Sequence, residues 1–192
     1  MGRFGNEAQF GGNATNIKDD IVGGLYTMNS SNCQADSITA YINTNDITGP
    51  KFIGIIYESG SGDLIGYTDI YTLNEGPNGD NRSITANFSS PKPSLVSGTM
   101  YYLCAWMSGT TGNTLGLNIG EGALNSYSLP YDWTENSGVP SGNYNNRAED
   151  SSLVEPQIYC TYSLKPDTIP YGIKNEGTGT LGFLGNGKIT VL

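Results

Sequence analysis

The chain has 192 residues, 27 of them Gly and 13 Tyr, with no His and a net charge of −9 at pH 7. That length suits one well-cored domain, or one domain plus an appendage. The acidic balance argues against nucleic acid and anionic membrane as partners, because neither tolerates an unneutralised negative face. The lack of His removes the commonest general base and transition-metal ligand, and with them His-dependent triads.

In chain order, residues 1–16 are rich in Gly and Asn, with Phe4 and Phe10 as isolated apolar anchors. Residues 18–28 read as a first strand interrupted by Gly23-Gly24, where a bulge is expected. Residues 35–43 alternate, placing Ile38, Ala40 and Ile42 inward and Ser37, Thr39 and Tyr41 outward. Residues 51–57 form a third strand, and residues 64–68 return from a Gly-Ser loop as a hairpin. Residues 83–88 alternate again through Ile84, Ala86 and Phe88. The stretch 91–107 approaches through prolines and a Ser-Gly turn, then runs Met100-Tyr101-Tyr102-Leu103-Cys104-Ala105-Trp106-Met107. A run so short with two apolar faces predicts a strand in the middle of a sandwich. Residues 115–119 and 156–164 add further strands, the latter closing the set. Between them, residues 121–150 form a long irregular region, which is usually functional or packed over a face.

No sustained i, i+3, i+4 apolar pattern predicts a helix. Roughly eight short strands with turn signals between them predict an all-β, antiparallel two-sheet sandwich of jelly-roll type. Residues 1–164 hold the sandwich and 165–192 a C-terminal extension. In that extension Leu181, Phe183, Ile189 and Val191 lie on either side of an Asn186-Gly187 hairpin signal and are the candidate assembly residues. A lone two-stranded hairpin is marginal in water, so this segment is expected to dock, on its own sandwich or on the edge strand of a neighbouring copy.

The succession Asp36-Ser37-Ile38-Thr39-Ala40-Tyr41-Ile42, Ile55-Ile56-Tyr57 with Leu64-Ile65-Gly66-Tyr67-Thr68, Gly98-Thr99-Met100-Tyr101-Tyr102-Leu103 and Ile158-Tyr159-Cys160-Thr161-Tyr162 resembles small jelly-roll modules. Such modules occur in viral particle proteins and in bacterial and archaeal surface proteins, and are similar in layout to carbohydrate-binding modules. The resemblance implies a fold and a virion, extracellular or cell-surface setting. It carries over no binding residue.

Cys33, Cys104 and Cys160 show no CxxC spacing. Their odd number allows one disulfide and a leftover or three thiols. Cys104 and Cys160 sit in apolar runs, where free Cys behaves as a small hydrophobe. Residues 1–15 contain no apolar signal-peptide core and no segment reaches transmembrane length, so either synthesis in a cytoplasm or an already removed leader is expected, with no membrane insertion.

Gly177-Thr178-Gly179-Thr180-Leu181-Gly182 matches GxGxxG, but too few residues follow for the helix and acidic residue a dinucleotide site needs. Among carboxylates, Glu121 in an apolar context is the least implausible acid, and most of the others lie in or beside polar loops where water keeps them ordinary. Asn74, Glu75, Asn78 and Asp80 offer the hard oxygen ligands that calcium prefers, though without EF-hand spacing. As the ordinary residues of turns, they are read first as a solvated turn. Tyr127, Tyr131, Trp133 and Tyr144 offer a stacking platform for sugar, or filling for one end of the sandwich. The leading expectation is a non-enzymatic structural protein that assembles with copies of itself in a virion, tail or extracellular filament. The alternative is a carbohydrate-binding module that attaches to glycans. No cofactor is expected beyond a structural calcium.

Overall fold

The computed structural model describes residues 1–8, 14–16, 20–44, 49–73, 80–108, 115–118, 126–131, 133, 136–149, 155–165, 173–175 and 181–183. No helix occurs among them. The strands are β1 (Gly2–Gly5), β2 (Ala14–Asn16), β3 (Asp20–Thr27), β4 (Cys33–Thr44), β5 (Lys51–Glu58), β6 (Leu64–Tyr67), β7 (Tyr71–Thr72) and β8 (Asp80–Asn87). They continue with β9 (Ser94–Leu95), β10 (Met100–Met107), β11 (Leu115–Asn118), β12 (Tyr127–Pro130), β13 (Ala148–Glu149), β14 (Ile158–Leu164), β15 (Ile173–Asn175) and β16 (Leu181–Phe183).

Eight of these strands carry the framework, and their pairing is nested. β1 pairs with β14, β3 with β10, β4 with β8, and β5 with β6, all antiparallel. The pairs alternate between two sheets, giving β1-β14-β4-β8 in one and β3-β10-β5-β6 in the other. First with last, second with second-last, and so on inward, is a long hairpin rolled into a sandwich: a jelly roll with its two Greek keys. β4 is long enough to take β14 and then β11 on one edge, and β9 and then β8 on the other. β12 and β13 extend the second sheet beyond β3.

The predicted central strand is central. β10 lies between β3 and β5, and Tyr101 through Met107 are all buried. Its two faces go to different places. Tyr101, Leu103, Ala105 and Met107 face the first sheet in the main core, with Ile38, Ala40 and Ile42 of β4 and Ile84 and Ala86 of β8. Tyr102, Cys104 and Trp106 face away from it, into a second apolar cluster.

Three local expectations change. The Gly23-Gly24 pair makes no bulge, since β3 and β10 keep a continuous register through Gly23↔Cys104 and Gly24↔Leu103. The glycine is there for clearance: a Cβ on Gly23 would lie 2.3 Å from the Leu103 carbonyl oxygen and 2.4 Å from the Cys104 sulfur. The alternation in β4 is broken instead. Ser37 opposes Thr161 and Ala35 opposes Tyr162, so Asp36 is an extra residue in the ladder. That bulge turns Asp36 outward beside Ser37, where its Oδ1 accepts from Lys92 Nζ at 2.6 Å and Ser163 Oγ at 3.1 Å. Finally, residues 2–5 are a paired edge strand, and Phe4 sits in the main core against Tyr101. Phe10 lies outside the described residues.

Candidate functional site

The four aromatics expected as a sugar platform belong to the second cluster. The outer face of the second sheet carries Ile21, Ile53, Ile55, Tyr57, Tyr102, Cys104 and Trp106, too much apolar surface to leave in water. The region after β11 folds over it. Trp133 meets Trp106 at 4.4 Å between ring centres, and Tyr131 meets it at 5.4 Å while its carbonyl accepts from the Trp106 indole N–H at 2.9 Å. Tyr144, fully buried, stacks on Tyr57 at 4.9 Å and meets Tyr102 edge-on at 5.3 Å. Its hydroxyl reaches the carbonyls of Tyr127 at 2.8 Å and Ile21 at 3.0 Å. Tyr127 packs edge-on to Tyr102. The rings of Trp133 and Tyr144 are therefore spent on packing, and Tyr127 and Tyr131 are half-buried against the same cluster. Of the two expectations for these residues, stacking platform or filling, Trp133 and Tyr144 pack as filling, because an apolar outer sheet face outcompetes solvent for their rings.

Arg147 fastens the cover. Its guanidinium sits 4.3 Å from the Tyr102 ring centre, and its Nη1 donates to the Tyr144 carbonyl at 3.0 Å. Sequence reasoning passed over Arg147, because no local pattern sets a cation above rings drawn from three separate strands and loops.

Asn74, Glu75 and Asn78 of the expected calcium loop lie outside the described residues, as does the side chain of Asp80. Glu121 also lies outside them. Among the described residues no group of three or more His, Cys, Asp or Glu is placed to hold a metal. Of the assembly residues, Leu181 and Phe183 are in β16, which pairs with β15 through Asn175↔Leu181 and Ile173↔Phe183. Leu181 and Phe183 therefore pair with residues upstream of them. Ile189 and Val191 lie outside the described residues.

Cys33, Cys104 and Cys160 are free, buried thiols. Burial pushes Cys104 and Cys160 well above the ordinary thiol range, which keeps them protonated and inert. Burial likewise pushes Tyr57 and Tyr144 up, and Tyr26 with help from the nearby Glu155 carboxylate. These phenols keep their protons in the fold at a pH where the unfolded chain loses them. Their contribution is fully present below about pH 10, the ordinary tyrosine value, and stability falls as pH rises above it because the native state binds more protons. A titration followed at the phenolate absorbance is expected to ionise fewer than the 13 tyrosines while the fold lasts. The buried ones should appear in one cooperative step with loss of tryptophan fluorescence. Smooth ionisation of all of them in a folded protein would contradict the packing described.

The surface left over is unevenly dressed. The outer face of the first sheet is hydroxyl-rich, with Ser37, Thr39 and Thr161 buried and Thr85 exposed, and the Thr39 and Thr85 hydroxyls bond at 2.8 Å. Large apolar groups are exposed along the β6–β7 connection, at Tyr67 (44 %), Ile70 (49 %) and Tyr71 (39 %). A cleft of about 460 Å³ opens there between β6 and residues 88–93, lined by Ile65, Gly66, Phe88, Pro91 and Pro93. A second cleft, of about 510 Å³, opens on the opposite flank beside Arg3, Tyr26, Asn29 and Tyr162.

What these features define is a class: an all-β, antiparallel two-sheet sandwich with a second apolar cluster on the outer face of one sheet. No protein-family model matches the chain, and a search of curated proteins finds no match.

Proposed function

We propose that the chain is a non-enzymatic structural module that assembles with copies of itself through residues 165–192, as a subunit of the kind that builds a virion, tail or extracellular filament. One observation carries this reading. β15 and β16 form a two-stranded sheet of their own, while all strands of both sandwich sheets lie between Gly2 and Leu164. Two strands alone are marginally stable in water.

The charge distribution supports the same reading. Residues 1–164 contain 6 Lys and Arg against 16 Asp and Glu, while residues 165–192 contain 3 against 2. Two sandwiches repel one another, and the near-neutral C-terminal segment approaches an acidic body without that penalty. Sedimentation velocity on the full chain and on a chain ending at Leu164 tests the proposal. The full chain is expected to associate as its concentration rises, and the shortened chain to stay a folded monomer. A full chain that remains monomeric at high concentration, or a shortened chain that unfolds, would overturn it.

A further inference from the structure

The self-assembly reading leaves open which surface receives the C-terminal segment, and the sheet edges differ sharply in how they are protected. β6 is partly covered: the Leu64 N–H donates to the Gly142 carbonyl at 3.0 Å, and Asp63 bridges to Asn143. β7 and β13 are two residues long and β2 three. β1 is four residues and ends at Gly5 with φ +114°. β8 is different. It is eight residues long, contains no Pro and no Lys, and pairs with β4 in unbroken register from Ser37↔Asn87 to Thr44↔Asp80. Natural edges are blunted by Lys, Pro, bulges, brevity or inward-pointing charge; β8 lacks the first four, and its one such charge is Arg82, near its start and on the face shared with Ile84 and Ala86.

Its free groups follow from the register. The Phe88 N–H donates to the Asp36 carbonyl, so Phe88 and, by alternation, Ala86, Ile84 and Arg82 turn their main-chain groups toward β4. Asn87, Thr85 and Ser83 turn theirs outward. The Asn87 carbonyl accepts from the Asp69 N–H at 2.8 Å. Ser83 and Thr85 present an N–H and a C=O each, with no main-chain partner among the described residues. Ile70 directly follows Asp69, so the exposed apolar groups Ile70 and Tyr71 begin where this open edge ends. An incoming strand finds main-chain partners and apolar surface side by side.

We propose that the outer edge of β8 accepts the β15–β16 hairpin of a second copy as added strands. The proposal rests on the self-assembly reading above. β16 carries Leu181 and Phe183 at alternate positions of its sequence, separated by Gly182, which is the spacing that recognition beside an edge uses. Its segment carries the near-neutral charge that an acidic body tolerates. Donor and acceptor are different surfaces of one chain, so the contact is head-to-tail and propagates into a ring or a filament.

The test uses two full-length variants. Ser83→Pro removes an outward N–H without taking a bond from the β4 ladder, and blocks the acceptor. Leu181→Asp with Phe183→Asp blocks the donor. Each variant alone is expected to associate at least tenfold more weakly than the parent, with an unchanged Tm. Mixed, they should form a one-to-one heterodimer that grows no further, because the first still donates and the second still accepts. If Ser83→Pro misfolds by circular dichroism, Ser83→Lys replaces it, since an edge lysine opposes strand addition without altering the main chain. Parent-like assembly of the edge variant, or no heterodimer on mixing, overturns the β8 assignment while self-assembly stands. A monomeric parent overturns both.

Discussion

Tyr144→Ala is expected to lower stability by about 3–5 kcal/mol, the range for deleting a buried aromatic, and Tm by about 10–15 °C for a chain of this size. Tyr144 ties the cover to the sheet in three ways. Its ring lies parallel to that of Tyr57, 8° from coplanar, and meets Tyr102 edge-on. Its hydroxyl shares one proton between two carbonyls in reach, the buried Ile21 carbonyl on β3 and the part-buried Tyr127 carbonyl on β12. Its N–H donates to the Gly62 carbonyl in the β5–β6 turn. Removing the ring leaves a cavity flanked by aromatic faces, and exposes Cys104 to reagents. Tyr144→Phe keeps the packing and removes only the hydroxyl, so it should cost about 1–3 kcal/mol, the desolvation of carbonyls left without their donor. Chemical denaturation of the three proteins checks the order. An alanine variant as stable as the parent would mean that the cover contributes nothing to the fold.

Gly54→Ala is the second large effect, and it acts through the opposite mechanism. Gly54 lies mid-strand in β5, facing the first sheet. A Cβ there would stand 2.3 Å from the Cβ of Ile38 and 2.6 Å from its Cγ2. One added methyl group forces the two sheets apart at the Gly54–Ile38 contact. The cost is expected at or above the about 1–3 kcal/mol usual for overpacking, because Ile38 is itself fully buried in the central strand of its sheet and has nowhere to move. Ile38→Ala in the same chain removes the branches but retains the clashing Cβ, so rescue should be at most partial. Full rescue, or a neutral Gly54→Ala, would show that the sheets have slack at this point. Thermal unfolding of the single and double variants measures it.

Much of the sandwich was legible in the residues themselves. The two-faced run 100–107 announced a central strand, and the alternation in residues 35–43 and 83–88 placed inward and outward positions, because a strand's period of two writes its buried face directly into the sequence. The same run also announced that the second sheet has an apolar outer face, through Tyr102, Cys104 and Trp106. What covers that face was not legible. The aromatic-rich region 127–144 suits a platform or a lid equally well by composition, and only the pairing of β12 with β3 brings Tyr144 over Tyr57 and makes it a lid. The strand at Gly2–Gly5 has no local β signal and exists because β14 offers it an edge. The bulge at Asp36 and the glycine at 23 answer to neighbours on β14 and β10, more than a hundred and about eighty residues away along the chain. Local pattern states which side chains must leave water. Which segment meets them, and where a Cβ has no room, depends on contacts between residues far apart in the chain, and those exist only once the sheets have closed.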